Sequence, residues 1–410
     1  MTSTPLSPPR AGDEAVPATH RVGLVLLALA MGGFAIGTTE FAAMGVLPEF
    51  AAGLGIDEPT AGHVISAYAL GVVIGAPVLA VLGARLSRRI LLIGLMGLFA
   101  VGNGLSALAP SYEWMLAFRF LSGVPHGAYF GVAALVAASL VPAEKRTQAV
   151  ARVLMGLTIA TVIGVPFAKA LSLALGWRST FAVVACLAVL TMVLVTWLAP
   201  KDAARPDASP LKELGALKRL QVWLTLGTGA IGFGGMFAVY AYLASTLRAV
   251  TGVGAELEPV VFAVFGGGLT VGNLAGAWAA DRMQMPAIAG LLLWSAAALA
   301  LYPFAAPSFW TILPAVFLIG CGGGLGSVLQ TRLMDVAGEA QTLAAALNHS
   351  AFNTANALGP WLGGLAISAG FGWTSTGWVG SGLAIGGLLF WSLSWAVDRR
   401  QLAEQAAARA

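Results

Sequence analysis

The chain has 410 residues, 58% of them hydrophobic and only 10% charged, with a mean hydropathy of +0.84. A soluble globular domain carries about 25% charged residues, so lipid rather than water must be the solvent for most of this surface. The net charge of +4 needs no nucleic-acid partner. The two cysteines, Cys186 and Cys321, sit in apolar stretches, and no metal-ligand spacing or cofactor motif is present.

Residues 1–20 are rich in Pro, Ser, Thr and Ala and read as a disordered N-tail without signal-peptide features. Runs of about 20 apolar residues, long enough to cross the hydrocarbon as helices, then follow in order. They cover 22–48, 61–82, 90–109, 114–137, 148–172 and 179–199, and after a polar linker at 200–221 they resume at 222–247, 258–280, 287–306, 308–330, 342–368 and 376–396. Residues 397–410 form a C-tail. The prediction is an all-α membrane protein with twelve transmembrane helices, divided as 21–199 and 222–396.

Basic residues orient it. With an even number of spans, 18 of the 22 Lys and Arg fall on the side of the termini and linker, and only Arg178 and Arg248 on the other. That side is therefore expected to be cytoplasmic, in a bacterial inner membrane.

The chain also repeats itself. Gly176-Trp177-Arg178-Ser179-Thr180 recurs as Gly372-Trp373-Thr374-Ser375-Thr376, and Phe120, Gly123 and Gly127 recur as Phe317, Gly320 and Gly324. Agreement at nearly one offset, in matching spans, predicts two pseudo-symmetric six-helix bundles. Two halves meeting at a midplane cavity can rock, which suits a secondary transporter better than a membrane enzyme, a channel or a receptor.

Several stretches resemble the major facilitator superfamily, nearest to its drug/proton antiporter branch of chloramphenicol-resistance and arabinose-efflux-like permeases. They are Gly37-Thr38-Thr39-Glu40-Phe41 through Leu47-Pro48, Arg119-Phe120-Leu121-Ser122-Gly123-Val124-Pro125-His126-Gly127, and Gly164-Val165-Pro166 with Gly176-Trp177-Arg178. Arg85, Arg88 and Arg89 match the family's basic loop after the second span, and Asp281-Arg282 is its echo in the second half. The resemblance implies a major facilitator fold, proton-driven efflux of a small molecule such as a phenicol, no cofactor, and a conformational gate that includes Arg85, Arg88, Arg89, Asp281, Arg282, Gly164 and Pro166. A sugar, nucleoside or other metabolite remains an alternative cargo, and a monomer is expected. Two residues depart from the pattern: Ala84 stands where an acid precedes the first Arg, and Lys169 replaces a small or polar residue.

Ionisable residues inside spans each cost about 2.5–3.5 kcal/mol at a helix centre and so need a reason. Glu40 is the expected proton carrier, with Arg119 or Lys169 as its cationic neighbour; a permanent structural ion pair is the competing reading. Met236 occupies the matching position in the second half, which puts coupling in the first. The expected substrate-lining set is Phe41, Tyr68, His126, Tyr129 and Lys169 from the first half, and Phe233, Phe237, Tyr240, His349, Asn353 and Asn356 from the second. Packing or hydrogen bonding between helices is the alternative for each.

Overall fold

A computed structural model describes residues 19–83, 85–142, 146–202, 217–337 and 341–409. The N-tail up to residue 18 and most of the linker lie outside the described residues. Among those described, eleven helices are long and apolar enough to cross a bilayer. In chain order they are span 1 (Val22–Gly45), span 2 (Glu58–Leu79), span 3 (Arg88–Ala107), span 4 (Tyr112–Ser139), span 5 (Ala149–Leu175) and span 6 (Arg178–Leu198). Span 7 (Leu220–Ala241), span 8 (Ala255–Ala280), span 9 (Arg282–Ala305), span 10 (Phe309–Ala337) and span 12 (Ser375–Gln401) follow the linker. The twelfth long helix is Gln341–Ala366, span 11, which is long enough but too polar to qualify on composition. Its Asn348, Asn353 and Asn356 are buried in the bundle, where lipid does not meet them. The last helix continues from Ser375 to Arg409, so the C-tail is an extension of span 12.

Local chemistry sets the breaks. Ser87 caps span 3 by accepting the Ile90 N–H. Pro166 has no N–H, and its ring would strike the carbonyl of Val162 in a regular helix. Span 5 relieves this with a π-turn at Ala160–Gly164. Spans 8 and 9 are two helices that follow each other almost directly, parted by the non-helical backbone of Met283 (φ −153°, ψ 71°).

The repeat is visible in how the helices touch. A Cβ on Gly71 would lie 2.2 Å from the Phe120 carbonyl oxygen, and one on Gly268 would lie 2.2 Å from that of Phe317. Gly75 meets the Val124 carbonyl at 2.1 Å, and Gly272 that of Cys321 at 2.1 Å. Within each of these matched sets, both the glycine and its neighbour are 197 positions apart (71 to 268, 120 to 317, 75 to 272, 124 to 321). Spans 2 and 4 therefore make the same backbone-to-backbone approach as spans 8 and 10, a packing that only small residues permit. The halves meet along span 2 with span 11, and along span 5 with span 8.

These approaches make a direct prediction. Gly75→Ala and Gly272→Ala should each destabilise the protein by about 1–3 kcal/mol through overpacking. Gly94→Ala, which has nothing within 4 Å of its Cβ, should not. Thermal unfolding of the purified variants in detergent measures both.

Candidate functional site

The bundle has a linker end, where spans 6 and 7 are joined, and a far end. At the far end four charges interlock. Lys169 on span 5 is fully buried, with its Nζ 2.7 Å from Glu49 Oε1 and 2.6 Å from Glu258 Oε2. Arg248, just beyond span 7, reaches the same two carboxylates. Glu49 lies on the short helix Leu47–Leu54 and Glu258 opens span 8, so Lys169–Glu258 and Arg248–Glu49 both bridge the halves. Ser245 adds a hydrogen bond to Glu58 from the other half. Burial alone would raise the Glu49 carboxyl, but the ammonium of Lys169 and the guanidinium of Arg248 outweigh it and hold it below its ordinary value of 4.5. The same carboxylates keep the Arg248 guanidinium above its usual range despite its burial.

One layer deeper, Arg119 on span 4 is only 1% exposed. Its Nη1 donates to Thr39 Oγ1 at 3.0 Å, and to Asn103 Oδ1 and Ser122 Oγ at 3.4 Å each. Its guanidinium lies 4.3 Å over the Tyr68 ring and 5.2 Å from that of Phe181. Neutral oxygens and aromatic faces thus surround this cation, and among the described residues it forms no ion pair. Glu40, beside Thr39 in sequence, is buried and among the described residues forms no ion pair either, so the competing reading of a permanent pair with Arg119 or Lys169 has no counterpart here. Its Oε1 accepts a hydrogen bond at 3.2 Å from Asn356 Nδ2 on span 11 of the other half. The physical reason is competition: Glu49 and Glu258 saturate Lys169 at the far end, and Thr39, Asn103 and Ser122 hold Arg119 inside the first half.

Aromatic rings cover this level of the seam. Phe41 stacks on Phe237 at 6.0 Å and meets Tyr240 edge-on at 5.5 Å, while Phe233 packs on Phe237 and Phe352. Further toward the linker end, Tyr68 Oη and His126 Nδ1 are 2.9 Å apart, and His126 faces His349 across the seam with ring centroids 5.9 Å apart. Asn353 Nδ2 donates to the His349 carbonyl. The buried Asn353 Oδ1, Asn356 Oδ1 and Tyr240 hydroxyl have no hydrogen-bond partner among the described residues.

Of the expected lining residues, two sit elsewhere. Tyr129 donates its hydroxyl to the Leu29 carbonyl inside the first half, against Gly32, and Lys169 belongs to the far-end cluster. At the linker end, Arg85 is exposed, while the backbone N–H groups of Arg88 and Arg89 donate to Asp202, at 2.7 and 3.2 Å. An acid from the end of span 6 thus faces the basic loop whose own acid position is Ala84. Arg282 stacks on Trp278 at 4.0 Å; the Asp281 side chain lies outside those described. Gly164 approaches Thr38 so closely that a Cβ would lie 2.3 Å from its hydroxyl, and Pro166 follows the π-turn. Sequence reasoning missed Thr39, Asn103 and Ser122 around Arg119, although Asn103 was legible as an amide in an apolar run. It also left Arg248 as a loop charge and gave no role to Glu49 or Glu258.

Comparison with known proteins agrees with this architecture. The Major Facilitator Superfamily model matches residues 29–286 and 260–410. The chain is 41% identical to the inner membrane transport protein YdhP of Escherichia coli (strain K12), over 86% of this chain and 91% of that protein. It is 36% identical to a chloramphenicol resistance protein of Streptomyces lividans, over 82% and 87% of the two chains. In fold it is similar to a bacterial homologue of the human lysosomal transporter Spinster, solved in an inward-facing and unoccupied conformation. That likeness has a TM-score of 0.70 at 17% identity and covers 92% of this chain and 97% of the other. The chain belongs to the Major Facilitator Superfamily of membrane transporters.

Proposed function

We propose that this transporter exports small uncharged or amphipathic molecules in exchange for protons, by alternating access, with the linker end in the cytoplasm of a bacterial cell. The observation that carries the reading is Glu40, a buried carboxyl whose hydrogen-bond partner belongs to the opposite half. A carboxylate without a cation partner at this depth is costly, and taking up a proton removes that cost. Arg119 is bonded to Thr39, the residue next to Glu40, and forms no ion pair with the carboxyl. Glu40 is thereby poised between two states, and its contact to Asn356 ties that choice to the apposition of the halves.

The surroundings fit a neutral cargo. Phe41, Phe233, Phe237 and Tyr240 supply apolar area, and the unpartnered oxygens of Asn353, Asn356 and Tyr240 are acceptors for hydroxyl or amide donors. The chloramphenicol resistance protein among the relatives supports a drug as cargo. The polar contacts between halves, at Glu49–Arg248, Glu58–Ser245, Lys169–Glu258, Ser66–Ala357 and Glu40–Asn356, support a state closed at the far end.

Glu40→Gln should abolish uphill, pH-gradient-driven efflux of chloramphenicol in proteoliposomes while leaving the thermal stability near that of the parent. Full gradient-driven transport by that variant would remove Glu40 from coupling. Lys169→Met leaves Glu258 buried beside a single cation, a loss of about 3–5 kcal/mol for a buried pair. The far end should then open, seen as a longer distance between spin labels at the exposed Ala52 and Glu256. Because the Glu49 carboxyl is held below 4.5, its contribution to closure is complete above that pH and fades as pH falls through the lowered value. The same label distance should therefore lengthen in a step below pH 4.5, and that acid step should be lost in Glu49→Gln.

A further inference from the structure

His126 and His349 come from opposite halves and face each other at the seam, 5.9 Å between ring centroids. His126 is 2% exposed and bonded through Nδ1 to Tyr68, and the His349 ring lies parallel to Phe130 at 5.0 Å. We infer that His126 and His349 form a second proton-binding site, one imidazole from each half, that holds at most one proton while the halves lie together.

The argument is electrostatic and geometric. Among the described residues, the groups in contact with the pair are neutral. Span 2 presents the Tyr68 hydroxyl; span 4 presents Phe130 and, behind the Tyr68 ring, Arg119. Span 11 presents Asn353, whose amide donates to the His349 carbonyl. Glu40 on span 1 is bonded to Asn356, seven residues or roughly 10 Å further along span 11, and its charge also reaches Tyr68, so that phenol stands between it and His126. Among the described residues no carboxylate forms an ion pair with either imidazole, so nothing offsets a second positive charge. Two unit charges about 6 Å apart, at an effective dielectric constant of about 20, weaken binding of the second proton on the order of 100-fold. The second proton is accommodated only if the rings separate. Apposition of spans 4 and 11 is therefore linked to proton occupancy at a point distinct from Glu40.

The chain has four histidines, His20, His63, His126 and His349, so selective ¹⁵N-histidine labelling gives a spectrum simple enough to assign by single substitutions. The full-length protein in detergent is titrated alongside His349→Gln and His126→Gln, each checked for fold by circular dichroism. In the parent the two rings should titrate in separate, coupled steps. Removing the ring that protonates first should shift the other upward by about 1–2 pH units and make it a single step, while the reverse removal leaves the first ring close to its parent value. If each ring titrates the same with and without its neighbour, the inference is overturned; so it is if neither protonates between pH 4 and 9. Should one variant fail to fold, the other supplies the same comparison. Glu40→Gln should leave the coupling between the rings in place, so loss of the Glu40 reading and loss of this one are told apart.

Discussion

Lipid offers no hydrogen bonds to an ion, and the arrangement of this bundle follows from how each intramembrane charge is answered by protein. Lys169 is answered by two carboxylates, one on each side of the seam, and so becomes a fastener between halves. Arg119 is answered by three side-chain oxygens and two ring faces of its own half, and so becomes part of that half's core. Glu40 receives one amide from across the seam and no cation. The first two charges are settled by their surroundings; the third is left with the least, which is why we propose the coupling role for it.

Much of the architecture could be read before any coordinates. The apolar runs are long, the glycine pattern recurs at one offset, and Arg and Lys crowd one set of loops. The exception is instructive: 342–368 reads as one of the apolar runs, yet Asn348, His349, Asn353 and Asn356 dilute the hydropathy of span 11 below that of the other spans. Partners across the seam were not legible. Glu40 and Asn356 are 316 positions apart and Glu49 and Arg248 are 199 apart, and no local periodicity encodes such contacts. Lys169 looked like an intruder in span 5 because its acids stand at helix ends that a hydropathy window assigns to loops.

The two halves share their packing but not their end chemistry. Asp202 and Asp398 stand 196 positions apart, each near the end of the sixth helix of its half. Asp202 accepts the first N–H groups of span 3, whereas Asp398 pairs with Arg332 and accepts from Gln221, joining spans 7, 10 and 12. The duplicated frame thus tolerates divergence at its rims, where water lowers the cost of exchanging partners, more readily than at the glycines between spans 2 and 4 or 8 and 10.

Those glycine contacts have a mechanical corollary. Where backbone rests directly on backbone, no layer of rotatable side chains remains to absorb sliding, and the two helices must travel as a single plank. Each half of the transporter contains such a plank, and it borders the seam through span 2 in one half and span 8 in the other. Displacement during a cycle is therefore confined to the surface between planks, and a small rotation there is passed undiminished to both rims of the bundle.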